Sequence, residues 1–122
     1  MYEISKEFGF ESAHTLERSI ESEGSRRIHG HSYRAEVKVR GTPDPTTGMI
    51  IDLGLLDRAL QAVRDDLDHH YLNDIADLGP PTLENLAAWI WRKLDAQGTR
   101  PWRVVVYRDA AGESCLYEGS TA

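Results

Sequence analysis

An α+β domain, with one four-stranded antiparallel sheet and two helices packed on one of its faces, is the fold that this 122-residue chain predicts. Two stretches in which apolar and polar residues alternate open the chain, and two more close it. Between them lie two segments whose leucines recur every three or four residues. The order is therefore strand, strand, helix, helix, strand, strand.

In the first strand Tyr2, Ile4, Phe8 and Phe10 share one parity, as a half-buried strand requires, and His14 ends the strand on that same parity. The polar stretch from Arg18 to Arg27 carries Gly24 and reads as an exposed loop, mobile until a ligand or partner orders it. A second strand runs from about His29 to Arg40, with Tyr33, Ala35, Val37 and Val39 on one parity and Ser32, Arg34, Glu36 and Lys38 on the other. Gly41 to Gly48, containing Pro43 and Pro45, is a turn-rich connection. Asp52 can cap a helix whose apolar stripe is Leu53, Leu56, Leu60, Val63 and Leu67. Pro80-Pro81-Thr82 announces the second helix, with Thr82 as its N-cap, Leu83, Leu86, Ile90 and Leu94 as its stripe, and Gly98 at its end. Val104 to Tyr107 and Ser114 to Glu118 form the last strand pair, joined through Ala110-Ala111-Gly112. A four-stranded sheet leaves two open edges, which favours self-association.

Residues 1–122 leave room for one domain, and 40% hydrophobic residues suffice for a core. No apolar run approaches the roughly 18 residues that cross a bilayer, and the N-terminus lacks the layout of an export signal, so a cytoplasmic protein with no membrane partner is expected. The net charge is -6 and the basic residues are scattered, apart from Arg26-Arg27 and the Arg100, Arg103 and Arg108 group, which argues against a nucleic-acid partner. With Cys115 as the single cysteine, neither an intrachain disulfide nor a cysteine-rich zinc site can form. Any metal must be held by imidazole and carboxylate.

His29-Gly30-His31 meets that requirement. Two residues apart on an extended segment, the imidazoles project to the same face, and His14 at the tip of the first strand can supply a third. Three protein ligands and one open position are the arrangement of catalytic zinc. Taken alone, a His-x-His pair on a strand is as readily a chance pair facing solvent. Its setting after an arginine-containing loop, with a third strand-end histidine, favours a metal.

Phe10-Glu11-Ser12-Ala13-His14, Ile28-His29-Gly30-His31, Gly48-Met49-Ile50-Ile51-Asp52, Leu67-Asp68-His69-His70-Tyr71-Leu72-Asn73 and Pro81-Thr82-Leu83-Glu84-Asn85-Leu86-Ala87 together resemble the 6-pyruvoyltetrahydropterin synthase and 6-carboxytetrahydropterin synthase family. The resemblance spans nearly the whole chain. It implies the tunnelling fold, in which the sheets of three subunits close into a barrel and two trimers stack into a hexamer, resolving the open edges. It also implies that His14, His29 and His31 bind zinc, and that Asp68 and His69 form a proton-transfer pair reaching an active site at a subunit boundary. A carboxylate beside an imidazole fixes its tautomer and raises its basicity, so His69 is the first choice for general acid or base. Locally, Asp68-His69-His70 reads first as an ordinary polar helix exit, and the family resemblance reverses that preference.

Two departures from the family pattern stand out. Four residues before His29, where the family carries its catalytic cysteine, this chain has Ser25, and a serine hydroxyl needs an adjacent base. Either His69 activates it, a carboxylate such as Glu23 or Glu21 substitutes, or the chemistry needs no base there. The family also holds the pterin ring with a glutamate near the last strand pair; counting back from Tyr117 gives Asp109, one methylene shorter. Arg27, with Arg26, can meet a substrate triphosphate or remain a solvated loop charge. Cys115 is read as a packing residue.

The resemblance implies a lyase that converts 7,8-dihydroneopterin triphosphate to a 6-carboxy- or 6-pyruvoyl-type tetrahydropterin, as in queuosine precursor synthesis, with Asp109, Thr82 and Arg27 at the substrate. The alternative that Ser25 and Asp109 favour is a repurposed scaffold catalysing an aldol or Pictet–Spengler-type condensation on a non-pterin substrate. A sensor that has lost its nucleophile would have little use for the Asp68-His69 pair.

Overall fold

The computed structural model describes residues 1–119, so residues 120–122 of the single expected domain lie outside the described residues. Strands β1 (Tyr2–His14) and β2 (His29–Gly41) pair antiparallel along their whole length, from Tyr2 opposite Gly41 to His14 opposite His29. Strand β3 (Arg103–Arg108) lies on the other side of β2, and β4 (Glu113–Glu118) completes the sheet in the order β1-β2-β3-β4. The long connection from β2 to β3 carries helices α2 (Leu53–Leu67) and α3 (Leu83–Ala96), which follow a short helix α1 (Ser22–Arg26).

Strand alternation decides which face the helices cover. Phe8, Phe10, Tyr33, Ala35, Val37, Val104 and Val106 point from the sheet into one core with Leu56, Leu60, Val63 and Leu67 of α2 and Leu86, Ile90 and Leu94 of α3. The opposite face is charged: Arg34 stacks over the Tyr107 ring at 3.8 Å, and Lys38 lies 3.8 Å from both Glu3 and Glu36. Both long helices start where a side chain satisfies a free backbone amide. Asp52 accepts from the Gly54 N–H at 2.7 Å, and Thr82 from the Asn85 N–H at 3.1 Å.

Three expectations are corrected. Leu53 does not belong to the buried stripe, since it is 52% exposed; the first turn of α2 projects beyond the core, and burial begins at Leu56. Tyr2, at the outer end of β1, is likewise exposed. The Arg18–Arg27 stretch is not simply an exposed loop, because it contains α1 and buries Ser25. Its order comes from polar pairing: Arg26 with Glu17, Arg27 with Glu23, and the Leu16 N–H donating to the Ser25 carbonyl at 2.8 Å. Such pairing leaves no apolar stripe in the sequence.

One sheet edge is partly covered by this chain itself. The segment after α2 docks on the outer side of β1, with the His69 N–H donating to the Glu11 carbonyl and the Ala13 N–H to the His70 carbonyl. Trp89, which the stripe reading omits, is buried and donates its indole N–H to Asp77 at 2.9 Å. Removing a side chain from the helix–sheet core should be costly: Leu86→Ala is expected to lower unfolding free energy by about 3 kcal/mol in urea titration. The exposed Arg58→Ala change should stay within about 0.5 kcal/mol.

Candidate metal centre and the adjoining cavity

The three histidines arrive by register. His14 and His29 are partners across the β1–β2 ladder, and His31 lies two residues along β2, on the same face. One potential ligand atom from each lies within 4.8 Å of the others. Two of the rings are oriented by backbone carbonyls. His14 donates Nδ1–H to the Pro81 carbonyl at 3.0 Å, and His29 donates Nδ1–H to the Arg27 carbonyl at 2.7 Å. A carbonyl can only accept, so in the neutral rings both Nε2 atoms are left as lone pairs. They face one another at 3.0 Å.

Two lone pairs at that distance repel unless a proton or a metal cation lies between them. Burial keeps a proton away: it is the main cause lowering the affinity of His14, with His29 and Arg108 acting in the same sense against the Pro81 hydrogen bond. His31 is pushed down to about 4, first by burial and then by His14, Arg108 and His29, with Glu113 opposing. Neutral imidazoles held by carbonyls on their far nitrogens fit a divalent metal well.

Beside the triad opens a cavity of about 1050 Å³, whose lining includes Ser25, Thr82, Glu84, Arg108 and Glu113. Ser25 and the metal triad thus share one space. Thr82 also borders it, although its hydroxyl is engaged in capping α3. Arg27 does not line it; its side chain is 74% exposed and paired with Glu23.

Asp68 and His69 pair as the sequence suggests. The Asp68 carboxylate accepts from His69 Nδ1–H at 2.8 Å, from the Glu11 N–H at 2.9 Å and from Arg64 at 3.2 Å. His69 adopts a left-handed backbone conformation, φ 58°, which is uncommon for a non-glycine residue. Within one chain, however, His69 does not share the large cavity with Ser25. It lines a second cavity of about 470 Å³ with Glu11, Ser32 and His70, and His31 borders both.

The sequence and fold are similar to those of known proteins. The family model for 6-pyruvoyl tetrahydropterin synthase matches residues 3–120. The chain belongs to that family. A relative from Synechocystis sp., a 6-carboxy-5,6,7,8-tetrahydropterin synthase, is 45% identical over 104 residues, covering 80% of this chain and 78% of that one. The dihydroneopterin monophosphate aldolase of Pyrococcus furiosus is 34% identical over 85 residues, covering 70% and 68%. Several animal 6-pyruvoyl tetrahydrobiopterin synthases are matched over about half of their length. The structure of the Caenorhabditis elegans 6-pyruvoyl tetrahydropterin synthase superposes with a TM-score of 0.82 at 27% identity, covering 98% of this chain and 96% of that one.

Within the family frame, the position counted as the ring-holding carboxylate needs correction for a single chain. Asp109 is not part of the cavity lining; Arg34 holds it by two hydrogen bonds of 3.0 and 3.1 Å on the charged face of the sheet. Alternation along β3 explains this. Val104 and Val106 face the core, so the next residue on that side is Arg108, and Asp109 falls opposite. Sequence reasoning missed Arg108, Glu113 and Glu84 as cavity residues; the parity of Arg108 was a usable signal, whereas Glu113 and Glu84 depend on how β4 and α3 come together.

Two outcomes follow. Thr82→Ala should reduce stability by about 1 kcal/mol through loss of the α3 cap, measurable by chemical denaturation. The Asp68 carboxyl is held below its ordinary value, chiefly by the Glu11 N–H and then by His69, with Arg64 adding to the effect. Its stabilisation is therefore full above the unfolded value of about 3.9 and is lost as pH falls through the lower folded value. Urea midpoints of wild type and Asp68→Asn, the latter keeping an acceptor for Glu11, should converge as pH is lowered from neutral toward 3.

Proposed function

We propose that this chain is a zinc-dependent lyase that takes 7,8-dihydroneopterin triphosphate, eliminates triphosphate and yields a 6-carboxy- or 6-pyruvoyl-type tetrahydropterin. The observation that carries this reading is the pair of Nε2 lone pairs facing each other at 3.0 Å, with a third imidazole beside them at the mouth of a large cavity. The Synechocystis relative supports the substrate class.

His14, His29 and His31 would hold the ion. When bound, zinc supplies Lewis acidity toward side-chain oxygens of the substrate. Asp68 fixes His69 with the proton on Nδ1, leaving Nε2 free to accept or return a proton. Ser25, buried beside the triad, stands where the family uses a stronger nucleophile or base, so its hydroxyl serves to orient substrate or to relay a proton. Arg27 and Thr82 are retained as substrate contacts in the assembled protein, and Asp109 as one offered from the charged face.

That His69 and Ser25 line different cavities of one chain supports a working site that joins two subunits; a trimer or hexamer acting in the cytoplasm is part of the same proposal. A second reading, condensation of a carbonyl compound other than a pterin, is favoured by Arg108, rather than the carboxylate of Asp109, standing in the cavity wall.

Incubation with 7,8-dihydroneopterin triphosphate should release inorganic triphosphate, and chelation followed by zinc addition should abolish and restore that release. Stoichiometric zinc with no turnover would overturn the pterin reading in favour of the second. His69→Ala should lower kcat by about a hundredfold or more. Mixing His69→Ala with His31→Ala subunits should recover activity that neither variant has alone; failure of every mixture would rule out a shared site.

A further inference from the structure

Two arginines near the end of β3 differ in how fully they are used. Arg34, on the charged face, is saturated: it grips Asp109 with two hydrogen bonds, meets Glu7 at 3.0 Å and stacks on Tyr107. Arg108, inside the large cavity, is not. Its side chain is 18% exposed, and one nitrogen, Nη2, meets the Glu113 carboxylate at 2.8 Å. Nη1 lies 3.4 Å from His31 Nε2, and Nε is buried without a well-formed hydrogen bond, as is the hydroxyl of neighbouring Tyr33. A guanidinium has five N–H donors, and its desolvation is compensated only when they are used.

The neighbour of Arg108 is itself a candidate metal ligand. An ion at the triad would set two cations side by side; of the carboxylates lining the cavity, Glu113 contacts Arg108, Glu17 and Glu21 are paired with Arg26 and Arg18, and Glu84 stands on α3. Glu113 is also half-exposed at the start of β4, where it can be displaced or joined by an incoming group. A buried guanidinium with spare donors, next to an electrophilic centre, is suited to an oxyanion.

We infer that Arg108 is a substrate-recognition residue that takes an anionic oxygen group, a carboxylate or a phosphate, carried by the substrate close to the part presented to the histidines. Resting on the function proposed above, this adds a specificity determinant: a substrate carrying an oxyanion within reach of Arg108 is favoured over one that is neutral there. A purely structural arginine would need Glu113 alone and would be indifferent to added anions.

The test is calorimetric titration of inorganic phosphate and, separately, malonate into the full-length protein, zinc-loaded and after chelation, for wild type, Arg108→Gln and Arg108→Lys. Wild type should bind at least one probe at least about tenfold more tightly than Arg108→Gln, the value of one or two charge-assisted hydrogen bonds. Arg108→Lys, which keeps the charge and serves if the glutamine variant fails to fold, should fall between them. Preference for phosphate or for malonate identifies which oxyanion is taken. Equal binding by wild type and both variants, or no binding of either probe to wild type, overturns the inference. Zinc content measured on the same samples separates the two ideas: Arg108-dependent binding by protein that takes up no zinc on loading would leave this inference standing while the metal reading falls.

Discussion

The pairing of His14 with His29 at the closed end of the β1–β2 ladder is the constraint on which the site depends. Two strands of 13 residues each run in one unbroken register, and a slip of a single residue would send His14 to the charged face. The register is held by the core. Phe10 stacks on Tyr33 with ring centroids 4.8 Å apart, and Phe8 lies opposite Ala35, all beneath the helices. Hydrophobic packing thus sets the positions of three polar rings that lie just past its edge.

Loops complete what the strands begin. The carbonyls of Arg27 and Pro81 orient His29 and His14, and each belongs to a connection that sequence alone marks only as irregular. The first follows α1, and the second precedes α3, so the short helix, the capped helix and the two-strand ladder meet at one point. Burial then favours the neutral form of His14 and His31, the form that can share a lone pair with a cation. Tyr33 feels the same environment: burial pushes its phenol up to about 12 even though Arg108 lies nearby.

Polar chemistry is distributed over both faces of the sheet. The large cavity holds the triad, Ser25 and Arg108, while the Asp68–His69 pair reaches the smaller cavity from the outer side of β1. Under the proposed function, association of chains brings these halves together. The charged face, with its Arg34–Asp109 grip, is tightly self-paired, which is why the carboxylate expected in the cavity is found elsewhere.

By itself the sequence determined the element order, the face of each strand, both helix caps, the three histidines as one group and the Asp68–His69 pair, because each is written in local spacing that strand and helix geometry convert directly into direction. Only the tertiary structure decided that Ser25 is buried and that Arg108 rather than Asp109 faces the cavity. Those outcomes turn on partners that motif counting does not specify: Arg34 on β2 takes Asp109, and Glu113 at the start of β4 takes Arg108 across the β3–β4 hairpin. Counting from a motif does not encode which face such a residue takes, whereas a continuous alternation along β3 does.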